Sequence, residues 1–332
     1  MTTPMTTPIT TATSWRRARI RAIETLNADT RLFEIEPDGV FAPSSPGGHI
    51  DVAVQIDGRP ATRSYSTLED SAHGAYRIAV KQVEDSRGGS VWMHRLEPGA
   101  QISISAPANH FELNRHAKRY LLVAGGIGIT PIYAMANALA QDGADFRVLY
   151  ACRDRQSAIL ADNLRTAIGE RLSVFAGSDG RRLDLAAEIG ALPDDAEVYV
   201  CGPIPMLDEA REIWAASGRP IDRLRFETFA NSGRFPNAAF SVNLPHIGRS
   251  VEVAKNQTIL EALEAAGIDA MYDCRRGECG LCALDVLAVD GVIDHRDVFF
   301  SAEEKAEGKK LCACVSRVAG KSITVDTGER RG

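Results

Sequence analysis

Apolar and polar residues alternate in short runs over the first third of the chain. They change to apolar runs followed by helix-spaced repeats in the middle, and return to short alternation near the end. The first pattern predicts strands over 18–26, 31–36, 50–56, 61–67, 75–83 and 101–105, with turns at Gly47-Gly48, Asp57-Gly58 and Pro98-Gly99 and a helical piece at 90–96. Short strands at this spacing predict an antiparallel β-barrel over 15–113. The second pattern predicts strands at 120–124, 146–151, 172–176 and 197–201 with helical pieces near 159–168, 185–189 and 206–216. A further helix carries Ile132, Met135, Ala136 and Leu139, with Thr130 as N-cap, Pro131 at the first helical position and Gly143 closing it. Strand–helix alternation of this kind predicts a doubly wound α/β unit with a parallel sheet over 114–230. The stretch 231–238 reads as a linker. After it, 239–332 reads as a small half-open sheet wrapped on one helix. Its predicted parts are strands at 240–244 and 250–253, a capping box Thr258…Glu261 whose helix runs to Gly267, a hairpin-like 283–289 and a last strand at 322–326.

Composition narrows the class of protein. A length of 332 residues suits two or three domains, and a net charge of −6 argues against a nucleic-acid partner. No apolar run approaches the ~18 residues that cross a bilayer. Residues 1–14 are rich in Thr and Pro and carry no charge, so they read as a disordered tail rather than a signal peptide, and the expected compartment is the cytoplasm.

The cysteines carry the most specific chemistry. Cys274, Cys279 and Cys282 are spaced x4 and x2, with Cys312 and Cys314 beyond, which is the spacing of a plant-type [2Fe–2S] site. A tight loop supplies three thiolates and a returning strand the fourth. Gly277 and Gly280 suit that loop, because glycine accepts positive φ and lets N–H groups close on sulfur. Structural zinc takes two separate Cys-x₂₋₄-Cys knuckles, and an odd seven cysteines without a secretion signal argue against a disulfide framework.

Three further stretches point to cofactors, each with a plain structural reading beside it. Arg63-Ser64-Tyr65-Ser66 lies on a predicted strand, where period 2 puts Arg63 and Tyr65 on one face and Ser64 and Ser66 on the other. Arg beside Tyr suits a phosphate and a flat ring; the plain reading is a barrel strand with a surface Arg. Arg87-Gly88-Gly89-Ser90 opens a short helix and presents N–H groups to an anion, or is simply a turn. Gly125-Gly126-Ile127-Gly128-Ile129-Thr130-Pro131 sits where a strand feeds a helix, the place of a dinucleotide pyrophosphate, although Pro131 stands where the third glycine of the fingerprint belongs. Cys201-Gly202-Pro203 ends the last strand at the carboxyl edge, where ligands bind; Cys201, like Cys152, reads equally as a small buried apolar residue.

Taken together over residues 15–330, these motifs in this order resemble the phthalate dioxygenase reductase family, vanillate demethylase reductases included. The resemblance implies an FMN-binding β-barrel, an NAD-binding α/β domain and a β-grasp ferredoxin domain. Arg63, Ser64, Tyr65 and Ser66 would hold the flavin, Ala79-Val80-Lys81 would line it, and Gly88-Gly89-Ser90 would take its phosphate. Gly125, Gly126, Gly128, Thr130 and Pro131 would bind the dinucleotide with Arg153 and Asp179, and Cys201, Gly202, Pro203 and Met206 would sit by the nicotinamide. Glu227 and Phe229, in Phe226-Glu227-Thr228-Phe229, would close the second domain near the flavin, and Asp294-His295-Arg296-Asp297 matches the ferredoxin part.

The fourth cluster ligand divides two readings. The plant-ferredoxin count of 29 intervening residues selects Cys312. The family pattern C-V-S-R followed by a strand selects Cys314, because strand register is stiffer than loop length, and Cys274, Cys279, Cys282 and Cys314 are taken as the expected set.

NAD(P)H gives two electrons as a hydride and a [2Fe–2S] centre accepts one at a time, so a flavin must stand between them. No acid–base catalytic residue is required; Ser66 and Glu227 are expected to orient cofactor. Asp179 favours NADH, while Ser178, Arg181 and Arg182 leave NADPH open. The expected activity is that of the reductase component of a two-component Rieske oxygenase in aromatic catabolism. The chain is expected to be a monomer that meets its oxygenase transiently near Arg275, Arg276 and Glu278. The alternatives are the same electron chain serving a cytochrome P450 or other acceptor, or a redox sensor without turnover.

Overall fold

The computed structural model describes residues 15–70, 74–83, 88–229 and 235–328. The predicted tail 1–14, Arg87 and the linker positions 231–234 lie outside them. Strands β1 (Arg16–Thr25), β2 (Thr30–Pro37), β3 (His49–Ile56), β4 (Arg59–Asp70), β5 (Tyr76–Lys81) and β6 (Gln101–Ile104) close into a barrel in the order β1-β2-β5-β4-β3-β6. Helix α1 (Gly89–Met93) packs beside β3 and is shorter than the predicted piece. Ile20, Phe33, Ile50, Tyr76 and Ile78 fill the interior and are fully buried. The β3–β4 hairpin turns at Asp57-Gly58, both with positive φ, the geometry that Asp-Gly favours in a two-residue turn.

The second unit holds β7 (Arg119–Gly125), β8 (Asp145–Cys152), β9 (Leu172–Ala176), β10 (Glu197–Cys201) and β11 (Leu224–Glu227), all parallel, in the order β11-β10-β7-β8-β9. Helices α2 (Ile129–Gln141) and α3 (Ala161–Ile168) share one hydrophobic cluster, and α4 (Leu185–Gly190) and α5 (Ile204–Ala216) share the other. Strand β11 was not predicted, since four residues at a sheet edge carry too little pattern. Helix α2 is buried at ten of thirteen positions because it is sandwiched between the sheet and barrel residues Leu32, Leu68 and Ala79. It starts earlier than predicted, after a 3₁₀ turn at Gly126–Gly128. Thr130 is therefore not the N-cap but a buried first-turn residue whose Oγ1 donates to the Ile127 carbonyl at 3.1 Å. Pro131 remains tolerable there, because first-turn N–H groups have no helical acceptor.

The third unit contains β12 (Phe240–Leu244), β13 (Arg249–Val253), α6 (Ile259–Ala265), β14 (Ala283–Asp294), α7 (Ala302–Glu307), β15 (Lys310–Cys312) and β16 (Arg317–Asp326). Its mixed sheet runs β13-β12-β16-β14-β15, with β12 and β16 parallel, and packs on α6 through Phe240, Val242, Ile259, Leu263 and Ile323. The capping box at Thr258 and Glu261 forms as predicted. The predicted hairpin at 283–289 is instead the single long strand β14, and β16 begins at Arg317. Glycines mark a close crossing of these two strands: a Cβ on Gly320 would meet the Asp290 carbonyl at 2.0 Å. Helix α7 and strand β15 were not predicted; both are short. Among the described residues no helix is long and apolar enough to cross a membrane.

Candidate functional site

The sheet order of the second unit turns at β7 and β10, whose carboxyl ends lie side by side, with Ala124 opposite Cys201. A cleft of about 480 Å³ opens there. Gly125, Gly126, Arg153, Pro203 and Met206 form one wall, and Lys81 with the barrel turn 27–30 forms the other. The glycines are needed for close approach as much as for a ligand. A Cβ on Gly128 would meet the Cys201 carbonyl at 2.1 Å, and one on Gly125 would meet Pro203 Cδ at 2.6 Å. Gly128, Thr130, Pro131, Cys201 and Gly202 lie behind the cleft wall rather than on it. Burial pushes the Cys201 thiol well above its ordinary value. Cys152, expected to be buried, is only partly buried and lines the cleft. Asp179 stands outside the cleft lining, with Arg155 Nε 2.7 Å from its carboxylate. The 27–30 turn was missed by sequence; Asn27 spans the two units, its Nδ2 donating to the Gln156 carbonyl at 3.3 Å. A polar turn between strands is too common to have flagged it.

At the barrel, two motifs far apart in sequence meet. A Cβ on Gly89 would come within 2.5 Å of Arg63 Cγ, so only glycine lets the Arg63 stem lie across the start of α1. Gly88 has φ +84°, and a Cβ there would reach Ile56 Cγ2 at 2.8 Å. Ser90 Oγ accepts from the Val83 N–H at 3.2 Å. Tyr65 packs half-buried on the barrel core, and burial pushes its phenol up. Ser64 and Ser66 do not share an environment: Ser64 is exposed and donates to Asp51 Oδ1 at 2.5 Å, whereas Ser66 is buried. Leu68, two residues further along β4, packs in the α2 cluster, and Ser66 lies beside Glu227. Val80 fills the barrel, Ala79 faces the α2 cluster, and Lys81 Nζ lies 3.3 Å from Asp29. Phe229 packs half-buried against the same α2 cluster.

The cysteine loop folds through positive φ at Arg275, Gly277 and Gly280. The N–H groups of Arg276 and Cys279 both donate to Cys274 Sγ at 3.4 Å. Cys314 Sγ lies 3.1 Å from Cys282 Sγ and accepts the Gly277 N–H. Cys312, fully buried, also adjoins Cys282 and pairs with Ala283 between β15 and β14. Among the described residues no three His, Cys, Asp or Glu side chains converge as they would on a single ion. One loop of three cysteines whose backbone N–H groups are aimed at Cys274 and Cys314 sulfur fits a [2Fe–2S] cluster better than the paired knuckles of zinc. The 294–297 segment props the loop from behind. Arg296 Nη2 binds Asp294 at 2.6 Å, Asp297 accepts from the Phe300 N–H at 3.0 Å, and the Val298 N–H donates to the Gly277 carbonyl at 2.9 Å.

Arg276 and Glu278, expected on an exposed acceptor surface with Arg275, point the other way. Arg276 is only 9% exposed, and its Nη1 pairs with Glu227 at the end of β11. Its Nε lies 3.6 Å from Glu278, whose other oxygen accepts the Thr228 N–H at 2.9 Å. Glu227, also readable from sequence as a surface carboxylate, is 1% exposed; burial pushes its carboxyl up while Arg276 pulls it down. Beside it, Ser66 Oγ, His49 Nδ1 and Glu227 Oε2 are buried with no hydrogen-bond partner among the described residues. His49, opposite Ser66 in the sheet, stacks on His110 at 5.4 Å. Three orphaned polar atoms at the mouth of the barrel fit a heteroaromatic ring that offers both donors and acceptors, as a flavin does.

Residues 17–113 match the oxidoreductase FAD-binding domain, 122–212 the oxidoreductase NAD-binding domain and 243–319 the 2Fe-2S iron-sulfur cluster binding domain. Phenoxybenzoate dioxygenase subunit beta of Ectopseudomonas oleovorans is 39% identical over 93% of this chain and 96% of its own. An intact type IV self-sufficient cytochrome P450 monooxygenase aligns with a TM-score of 0.65 and 37% identity over 94% of this chain, which spans only 41% of that larger protein. Phthalate dioxygenase reductase, a modular structure for electron transfer from pyridine nucleotides to [2Fe-2S], superposes with a TM-score of 0.76 and 31% identity over 94% of this chain and 98% of its own. With a flavin-domain barrel, a nucleotide-domain cleft and an iron-sulfur domain in that order, the chain belongs to the phthalate dioxygenase reductase family of oxidoreductases, the reductase subunits of oxygenase systems.

Proposed function

We propose that this protein passes electrons from NADH through FMN to its [2Fe–2S] cluster, and on to a Rieske-type oxygenase that docks transiently. The observation that carries the reading is the seating of the cysteine loop, through Arg276, on Glu227 beside Ser66 at the mouth of the barrel. When bound, the flavin takes a hydride and hands electrons on singly. Arg63, lying across the Gly88–Ser90 turn, would hold the terminal phosphate of FMN; Ser66, His49 and Glu227 would orient the ring edge. The cleft by Gly125, Gly126, Pro203 and Met206 would set the nicotinamide against it. Asp179, in the 3₁₀ turn that follows β9, disfavours a 2′-phosphate and supports NADH. We place the protein in the cytoplasm, where thiols outside the cluster loop such as Cys152 and Cys201 are kept reduced.

The test is spectroscopic. Arg63→Ala is expected to purify poor in flavin with the cluster intact, and flavin freed from the wild type by heating is expected to be FMN. Cys314→Ser is expected to abolish the cluster spectrum while Cys312→Ser preserves it; full flavin in the first variant or an intact cluster in Cys314→Ser overturns the assignment. The similarity to a cytochrome P450 monooxygenase favours a second reading, in which the acceptor is a haem protein. Reconstitution with NADH and either acceptor class separates the two.

A further inference from the structure

The structure assigns to Arg276 a role as a positioning residue: it latches the cluster loop onto the nucleotide domain and so fixes the cluster against the flavin site. This inference rests on the electron route proposed above. Arg276 lies between two cluster cysteines, yet its guanidinium leaves its own domain. Nη1 pairs with Glu227, 49 residues away at the end of β11, and Nε faces Glu278 at 3.6 Å. Glu278 binds across the same boundary, accepting the Thr228 N–H at 2.9 Å. One cation thus holds two carboxylates, one from each domain, and an arginine suits this because its planar fork presents several donors at fixed angles.

A second anchor lies beside it. Val298 belongs to the cluster unit but is 1% exposed within the nucleotide domain's own cluster, with Leu207 and Trp214, and its N–H holds the Gly277 carbonyl at 2.9 Å. The apolar plug brings the loop to the boundary without fixing its rotation. The Arg276 Nη1–Glu227 and Thr228 N–H–Glu278 hydrogen bonds are directional, and they decide which side of the loop faces Ser66 and His49. Electron tunnelling falls steeply with separation, so a loosened loop slows transfer from flavin to cluster while leaving the hydride step at the other side of the flavin untouched.

Anaerobic stopped-flow mixing of the flavin- and cluster-loaded protein with NADH resolves the two steps. Arg276→Gln is expected to keep flavin bleaching within about twofold and to slow cluster reduction about tenfold or more, as misplacement of reacting groups by an ångström does. Arg276→Lys, which keeps the charge but loses the fork, should fall between. Hydrogen exchange gives a readout independent of turnover: the Thr228 amide, outside the cluster domain, should lose protection in Arg276→Gln. Wild-type cluster reduction with unchanged Thr228 protection in Arg276→Gln overturns the latch. If Arg276→Gln cannot hold a cluster, Glu278→Gln and Arg276→Lys are read in the same way, graded slowing supporting the latch and wild-type rates in both overturning it. Failure of the wild type to reduce its own cluster with NADH would instead refute the electron route.

Discussion

Two buried arginines of the ferredoxin domain make opposite uses of their charge. Arg296 sits two residues from its partner: Nε and Nη2 both donate to Asp294 Oδ2, at 2.9 and 2.6 Å, and Nη2 also reaches the Phe235 carbonyl at 3.3 Å. Next to it, Asp297 takes the Phe300 N–H and the Ser316 hydroxyl at 3.2 Å. This network is local and well supplied with partners, and it braces the loop from within one domain. Arg276 reaches a carboxylate in another domain, and its Nε and Nη2, like Glu227 Oε2, are buried without a hydrogen-bond partner among the described residues. A satisfied local network specifies a fold, whereas an under-satisfied one spanning domains specifies how two bodies meet.

The comparison can be broken at several points. Arg296→Leu takes from buried Asp294 the guanidinium that pairs with it and is expected to cost about 3–5 kcal/mol in urea unfolding. A loss near zero would remove the bracing role. His49 tests the junction through pH. Burial, reinforced by Arg276, lowers its pKa to about 4, below the ordinary 6.5. The unfolded chain therefore binds a proton that the native state refuses, so this contribution is complete above about pH 6.5 and is lost as pH falls toward 4, by about 3 kcal/mol. Urea midpoints at both ends of that window check it, and His49→Gln should flatten the slope. Arg276→Gln is expected to cost only about 1–2 kcal/mol, because Glu227, already pushed toward its neutral form by burial, can take up a proton once the cation is gone. A stability loss equal to that of Arg296→Leu would erase the difference between scaffold and latch.

Much of the site was legible in the chain. The loop Cys274–Cys282 and the turn after β7 are local patterns in which spacing is itself the chemistry, and the capping box at Thr258 formed where it was read. Errors gathered where local pattern is ambiguous. The close crossing of β14 and β16 at Gly291 and Gly320 had no local mark, and Thr130 looked like a cap because the 3₁₀ turn ahead of α2 has no sequence mark. Charged loop residues were read as solvent-facing by default, and for Arg276 and Glu278 that default failed.

The sequence by itself determined three units, their order, the thiolate loop and the glycine turn that opens the nucleotide cleft, because period, turn chemistry and ligand spacing act within a few residues. Only the tertiary structure decided that Arg63 lies across Gly89, that Ser66 is buried while Ser64 is exposed, and that Arg276 turns inward to Glu227. Those outcomes depend on packing between elements far apart in the chain, where burial and the pairing of charge out of water choose the partner and no local pattern records the choice.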